Sequence, residues 1–273
     1  MSPCSAGPVE NPRVVPDVPR HPGGEVRTIG TGPRNPGLER IPMMDAGRSR
    51  RIDRMLAWAG ILGPIVFVTI FTVAGWLRPG YSAMEEAVSD LGVGQQAWIQ
   101  NANFFLFGAL LLLFAIGFAR IMRNLIGSRP AVVGAILIAS TGTGIVAAGI
   151  FPAEPPTEWL HFLLGFFFAS GSAIATSFYV GRKLRDVPGW ESLARYSLWT
   201  GIGAVGLVVL SFVALNPASP LAEAGIGGLI ERALVIEIFA WHTVTGRKLL
   251  NSSTATQPST GAHPRALPFE ETR

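Results

Sequence analysis

Residues 57–77 read AWAGILGPIVFVTIFTVAGWL and carry no formal charge. A helix rises about 1.5 Å per residue and the hydrocarbon layer is about 30 Å thick, so about 20 such residues cross it. The run is too long, and too deep in the chain, for the apolar core of a signal peptide. Five further stretches pass the same test, at about 98–119, 131–151, 159–180, 197–215 and 226–246. In lipid every backbone amide must be paired within its own segment, so each stretch is predicted to be a helix. The predicted fold is all-α: an integral membrane bundle of six transmembrane helices within residues 49–250.

The composition agrees. Charged residues make up 15% of the 273, against about 25% in soluble domains, and they gather in the tails and in short connections. Twenty of the twenty-two Lys and Arg fall in four places: the N-terminal tail from Arg13 to Arg54, the 120–130 and 181–196 connections, and the C-terminal tail. Cytoplasmic flanks carry such an excess, so both termini are expected to be cytoplasmic and the protein to sit, multi-pass, in the cell (plasma) membrane. The basic balance then reflects anchoring to anionic headgroups. The expected partners are membrane lipids, with no nucleic acid; no protein partner can be named. No glycine-rich stretch leads into Lys-Ser or Lys-Thr, which argues against a nucleotide. A single cysteine, Cys4, excludes disulfide frameworks and Cys-ligated metal centres. Trp58, Trp76, Trp98, Trp159, Trp199 and Trp241 fall near span ends, where an aromatic belt belongs.

Residues 1–48 are rich in Pro, Gly and Arg, and 251–273 in Ser, Thr and Pro. Neither has a hydrophobic period that could offset ordering entropy, so both are expected to be disordered tails. Organised sequence starts near Ser49, which makes Met43 or Met44 an alternative to Met1 as the translation start.

Ionisable residues in or beside spans are costly and therefore candidates for function. In the connection after the first span, Ser82 followed by Glu85 has the spacing of a capping box. It predicts a short helix that ends near Gly92, with Met84, Val88 and Leu91 on its apolar face. Ser89 and Asp90 lie in it. In the 151–158 connection, Thr157 is the expected N-cap of the fourth span, with His161 in its first turn and Glu154 seven residues earlier. Either a structural hydrogen bond or a functional role fits such a histidine. Glu231 and Arg232 sit about 8 Å along the sixth span from Ile226. Arg232 is expected to form a structural ion pair or headgroup contact with Glu231, Asp90 or Glu154. Glu237 lies deeper, as a possible buried proton site, and His242 reads as an interfacial anchor. The glycines of spans three to five, including Gly142, Gly149, Gly165, Gly171 and Gly206, read as helix-packing positions.

The ordered set Pro79-Gly80-Tyr81-Ser82, Ser89-Asp90-Leu91-Gly92, Trp98, Asn101, Phe151-Pro152-Ala153-Glu154, His161, Gly227-Gly228 and Glu231-Arg232 resembles the bacterial and archaeal membrane family called domain of unknown function 998. The resemblance covers about residues 55–250 and implies six helices. It also implies that Ser89, Asp90, His161, Glu231 and Arg232 belong to one recurring pattern. A more distant similarity, to alkaline-ceramidase-like membrane hydrolases, implies a zinc centre of three histidines. This chain has one histidine at that rim, so a metal would need the mixed set Asp90, Glu154, His161 and Glu231.

Three functions fit these readings. The first is lipid binding or membrane organisation through the polar cluster, with no cofactor. The second is an intramembrane lipid hydrolase or transferase, in which Asp90, Glu154, His161 or Glu231 serves as acid, base or ligand to a divalent metal, and Ser89 or water attacks. The third is a small transporter or channel component that uses Glu231 and Glu237.

Overall fold

The computed structural model describes residues 42–255, with side chains from 47 to 252. The long helices are α1 (Pro42–Leu77), α2 (Ala97–Ile126), α3 (Ser128–Ile150), α4 (Glu158–Leu184), α5 (Glu191–Leu215) and α6 (Gly227–Ala255). Among the described residues there is no strand. Five of these helices, α1 to α5 (α1 over Gly47–Leu77), are long and apolar enough to cross a membrane. The sixth has the length, but Glu231, Arg232, Glu237, Arg247 and Lys248 break up its apolar run.

Helix α1 starts earlier than the boundary expected at residue 49, at Pro42, where a proline's missing N–H costs nothing. Helix α6 continues past 250 to Ala255. The remainder of both expected tails, 1–41 and 256–273, lies outside the described residues.

Small residues set how closely the helices pack. Gly127, at φ 88°, turns the chain between α2 and α3. The two then run side by side, so close that a Cβ on Gly108 would lie 2.7 Å from the Gly142 carbonyl oxygen. Gly165 of α4 rests on Ala148, and Gly149 on the Asn101 carbonyl. Gly171 and Gly206 meet nothing within 4 Å, so they are not the packing positions expected. Arg120 joins α2 to α1 through Asp53, Nε to Oδ1 at 2.5 Å, and through Ser49 Oγ at 3.1 Å.

The core divides into two apolar clusters. Phe67, Phe71, Phe104, Phe107, Leu234 and Phe239 fill one, and Phe114, Phe118, Met122, Trp190 and Trp241 fill the other. Ile65, Leu106, Ile136, Leu163, Val209 and Ile236 remain exposed around the bundle. In water such a surface would associate; against lipid tails it is the expected outer face.

Five of the six expected belt tryptophans are exposed. Trp241 is the correction: it is 1% exposed and its Nε1 donates to Ser197 Oγ at 2.8 Å, which ties α6 to α5. His242 is no interfacial anchor either. It is buried between Phe114, Phe239 and Trp241, with Nδ1 against the Ile238 carbonyl at 3.0 Å. A bulky aromatic near a span end reaches the rim only if its helix face turns outward, and this face of α6 packs inward.

Candidate functional site

A helix begins with backbone N–H groups that have no partner inside it. At the start of α6 two of them are satisfied by the 78–96 connection: Gly228 N–H donates to Glu85 O at 3.1 Å and Leu229 N–H to Met84 O at 3.0 Å. The next turn supplies side chains to the same segment. Glu231 Oε2 accepts from Val88 N–H at 3.1 Å, and Arg232 Nη1 donates to Glu86 O at 2.7 Å and Gly228 O at 3.0 Å. Arg232 Nη2 donates to the Tyr81 hydroxyl, which itself donates to Ala87 O at 2.7 Å. Burial pushes the Tyr81 phenol up from its ordinary pKa, against the lowering effect of Arg232, so it keeps its proton and donates it. Glycine is required at 228, where a Cβ would collide with the Glu86 carbonyl.

This docking explains why no α-helix forms over 82–92. The carbonyls of Met84, Glu85 and Glu86, which a helix would use internally, are spent on α6 and Arg232. Turns replace the helix, followed by a 3₁₀ turn at Ser89–Gly92. The reach back to Ser82 N–H comes from Glu86 Oε1, at 2.8 Å, not from Glu85. Val88 and Leu91 enter the core as the pattern predicts, while Met84 points outward.

The expected ion pair of Arg232 does not form: no carboxylate lies within 4.0 Å of it among the described residues. Its guanidinium serves backbone carbonyls and Tyr81, since a planar fork of donors suits several carbonyls at once. Arg78 acts similarly, with Nη1 donating to Asp90 O at 2.6 Å.

Beneath the docked segment lies a slot of about 320 Å³, at the lower end of the usual range for small-ligand pockets, about 300–1,000 Å³. Glu85 and Glu158 stand at its exposed rim, Ser89, Asp90, His161 and Glu231 below them, and Phe67, Phe104, Phe166 and Phe239 among its apolar walls. Along α6 it runs from Gly227 to Phe239, about 18 Å at 1.5 Å per residue.

One wall departs from α-helical geometry. His161–Phe168 of α4 is π-helical, and Ala169 N–H reaches back five residues to Leu164 O. Such wide turns recur at functional sites, and this one brings His161, Phe162, Gly165 and Phe166 to the slot. His161 is 5% exposed; its Nδ1 donates to Phe151 O at 2.8 Å, which ties the start of α4 to the end of α3. Thr157 does not cap α4 with its side chain. Its Oγ1 donates to Pro152 O and Glu154 O within the preceding turn.

Of the residues singled out from sequence, Ser89, Asp90, His161 and Glu231 thus share one cavity. Glu154 stands outside it, exposed, and Glu158 lines it instead. The mixed metal set therefore does not assemble, and no group of three or more His, Cys, Asp or Glu among the described residues could hold a metal ion. Ser89 has no hydrogen bond to His161 or to a carboxylate. Glu237 is not in the slot; it packs against Gly203 of α5. Sequence reasoning missed Thr141, Ser170 and Ser211, which line the slot from α3, α4 and α5. Their one signal is a hydroxyl in an otherwise apolar run.

The family model described as Protein of unknown function (DUF998) matches residues 61–248. The chain belongs to that family. Comparison with the curated proteins and with the solved structures gives no match. The DUF998 match takes in every residue of the docked segment and of the slot. The motifs that carry the resemblance include the pieces of the dock: Gly228 for clearance, Glu231 and Arg232 for the backbone of 86–88, and Tyr81 as their brace.

Two tests follow. Arg232→Ala leaves Glu86 O without its charged donor, so it should lower stability by on the order of 2 kcal/mol. Arg232→Lys should restore only part of this, because a lysine cannot span the same three partners; thermal unfolding in detergent measures both. Burial is the main influence on Asp90 and raises its pKa, opposed by the Ala87 N–H; Glu86 adds to the rise, and Arg78 and His161 oppose it. A carboxyl raised in the folded state binds more protons there than in the unfolded chain, so its contribution to stability falls as pH climbs through the ordinary carboxylate range toward the raised value. Asp90→Asn keeps the acceptor for Ala87 N–H and should raise the unfolding temperature at pH 7. The gain should vanish toward pH 4; a gain independent of pH would contradict this account.

Proposed function

We propose that this DUF998 protein is a six-span protein of the cell membrane with both termini cytoplasmic, and that it binds an amphiphile from the non-cytoplasmic side. Helix α6 is read as the sixth span because it packs along α1 and α5 and carries Arg247 and Lys248 at its far end. The basic connections at 120–130 and 181–196 then face the cytoplasm, and the slot opens on the opposite side. In a Cys4→Ser background, Ala83→Cys should react with a membrane-impermeant maleimide in intact cells, and Asp186→Cys only after lysis. The reverse pattern would invert the topology.

The observation that carries the binding reading is the slot itself, with polar groups at the rim and aromatic walls beneath. That is the shape of an amphiphile with its polar end uppermost. Binding places the polar end on Asp90, His161 and Glu231 and the apolar part beside Phe104, Phe166 and Phe239. One observation favours hydrolysis as a second reading: Phe151 O holds the Nδ1 proton of His161, which leaves Nε2 as a base in a cavity shared with Ser89.

Val235 lines the slot from α6. Native mass spectrometry of the solubilised protein should find one amphiphile retained by the wild type and lost in Val235→Phe, which fills the slot with an apolar ring. Equal retention by the two, or none by the wild type, would refute binding in the slot.

A further inference from the structure

The chemistry around the slot is one-sided. Its lining includes four carboxyl groups, Glu85, Asp90, Glu158 and Glu231, and not one Lys or Arg. None of the four lies within 4.0 Å of a cation among the described residues, where the one such pair is Arg120 with Asp53. The two nearby arginines are committed elsewhere, Arg78 to Asp90 O and Arg232 to Glu86 O, Gly228 O and Tyr81. The carboxyls of Asp90 and Glu231 each accept a single backbone N–H, which leaves each with a free oxygen.

The neutral polar groups divide: Ser89 and Ser170 line the slot with hydroxyls that make no hydrogen bond among the described residues, while two others offer acceptors only. Thr141 and Ser211 donate their hydroxyl protons to Leu137 O and Leu207 O of their own helices, so only lone pairs remain for the slot. His161 is almost wholly buried, and the Phe151 carbonyl holds its Nδ1 proton. In the neutral ring Nε2 is then an acceptor, without a partner in the protein, lining the slot. Facing the slot, that nitrogen can accept from a ligand's donor. The slot is thus rich in acceptors, with the Ser89 and Ser170 hydroxyls as its donors, and negative at its mouth.

We propose that the amphiphile taken by this slot is a single-chain primary amine, bound as its ammonium between Asp90, Glu231 and His161 Nε2 with its chain among the phenylalanines. The inference rests on the binding reading above and adds the sign and chemistry of the polar end. An R–NH₃⁺ group offers three donors and a positive charge, which answers all three unpartnered acceptors. The aromatic walls tolerate a cation at their upper edge and an alkyl chain against their faces. A volume of about 320 Å³ suits one short chain and is too small for a two-chain phospholipid.

The test uses the full chain in phosphatidylcholine nanodiscs at neutral pH, with empty discs subtracted. The probes are decylamine, decanol and decanoate, all below micellar concentrations, followed by calorimetry. Decylamine should bind at least about tenfold more tightly than decanol, and decanoate should not bind. Asp90→Asn combined with Glu231→Gln keeps both backbone hydrogen bonds and removes both charges. It should cost decylamine about tenfold more than it costs decanol. Glu158→Gln, at an exposed position whose side chain makes no hydrogen bond, gives the same comparison if the double variant does not fold, with an expected loss of about threefold. Equal binding of decylamine and decanol, both lost in Val235→Phe, would overturn the ammonium and leave the binding reading standing. Binding of neither probe beyond the Val235→Phe level would overturn both, and decanoate as the tightest ligand would reverse the inferred charge. Competition by phosphatidylethanolamine added to the discs would overturn the single-chain assignment in favour of a bilayer headgroup amine.

Discussion

The unpaired N–H groups at the start of α6 are the constraint from which the site is built. A helix that begins at the rim of an apolar bundle cannot leave its first donors bare, and here the carbonyls of Met84 and Glu85 satisfy two of them. Because those carbonyls turn toward α6, the 82–92 segment cannot be α-helical. It lies across the bundle mouth as turns, with Val88 and Leu91 pressed into the core. Arg232 and Glu231 then hold it from opposite polarities, a donor fork on carbonyls and an acceptor on an amide. The segment is a roof because the helix beneath it needs its backbone.

The slot follows from that roof and from the shape of α4. A regular helix packed on α3 would carry a constant face; the π-helical stretch at His161–Phe168 widens one turn and brings a buried histidine and two phenylalanines to the cavity. Close approach on the far side of α3, where Gly108 and Gly142 meet, keeps α2 and α3 together as one wall. Function and stability are linked here. Asp90 and Glu231 each give one oxygen to the roof's backbone and keep another for the cavity, so a ligand that engages the second also tightens the roof.

Much of this was legible. The spans from α1 to α5 follow from the length of their apolar runs, and Ser89, Asp90, His161 and Glu231 could be grouped because ionisable groups beside a span demand a reason. What failed did so where neighbours decide. Glu85 has the spacing of a capping box, yet Glu86 reaches Ser82 because the local carbonyls are taken by α6. Glu154 and Glu158 both neighbour His161 in sequence, but the turn between α3 and α4 leaves only Glu158 on the slot. Arg232 suggested an ion pair, and its partners are backbone carbonyls, which carry no mark in a sequence. Trp241 resembled its belt neighbours and is core, because its face of α6 turns toward Ser197.

The order of residues along the chain was enough to make it helical and apolar through most of its length, and to mark the polar residues that had to be accounted for. Both follow from local physics: hydrocarbon demands paired backbone, and charge near it demands a partner. Packing between elements set which carboxyl groups share a cavity, which arginines are spent on carbonyls, and that the slot's lining holds four carboxyl groups and no Lys or Arg. Those outcomes depend on which helix face meets which neighbour and where a π-helical turn shifts the register, and neither is written in the spacing of any one segment.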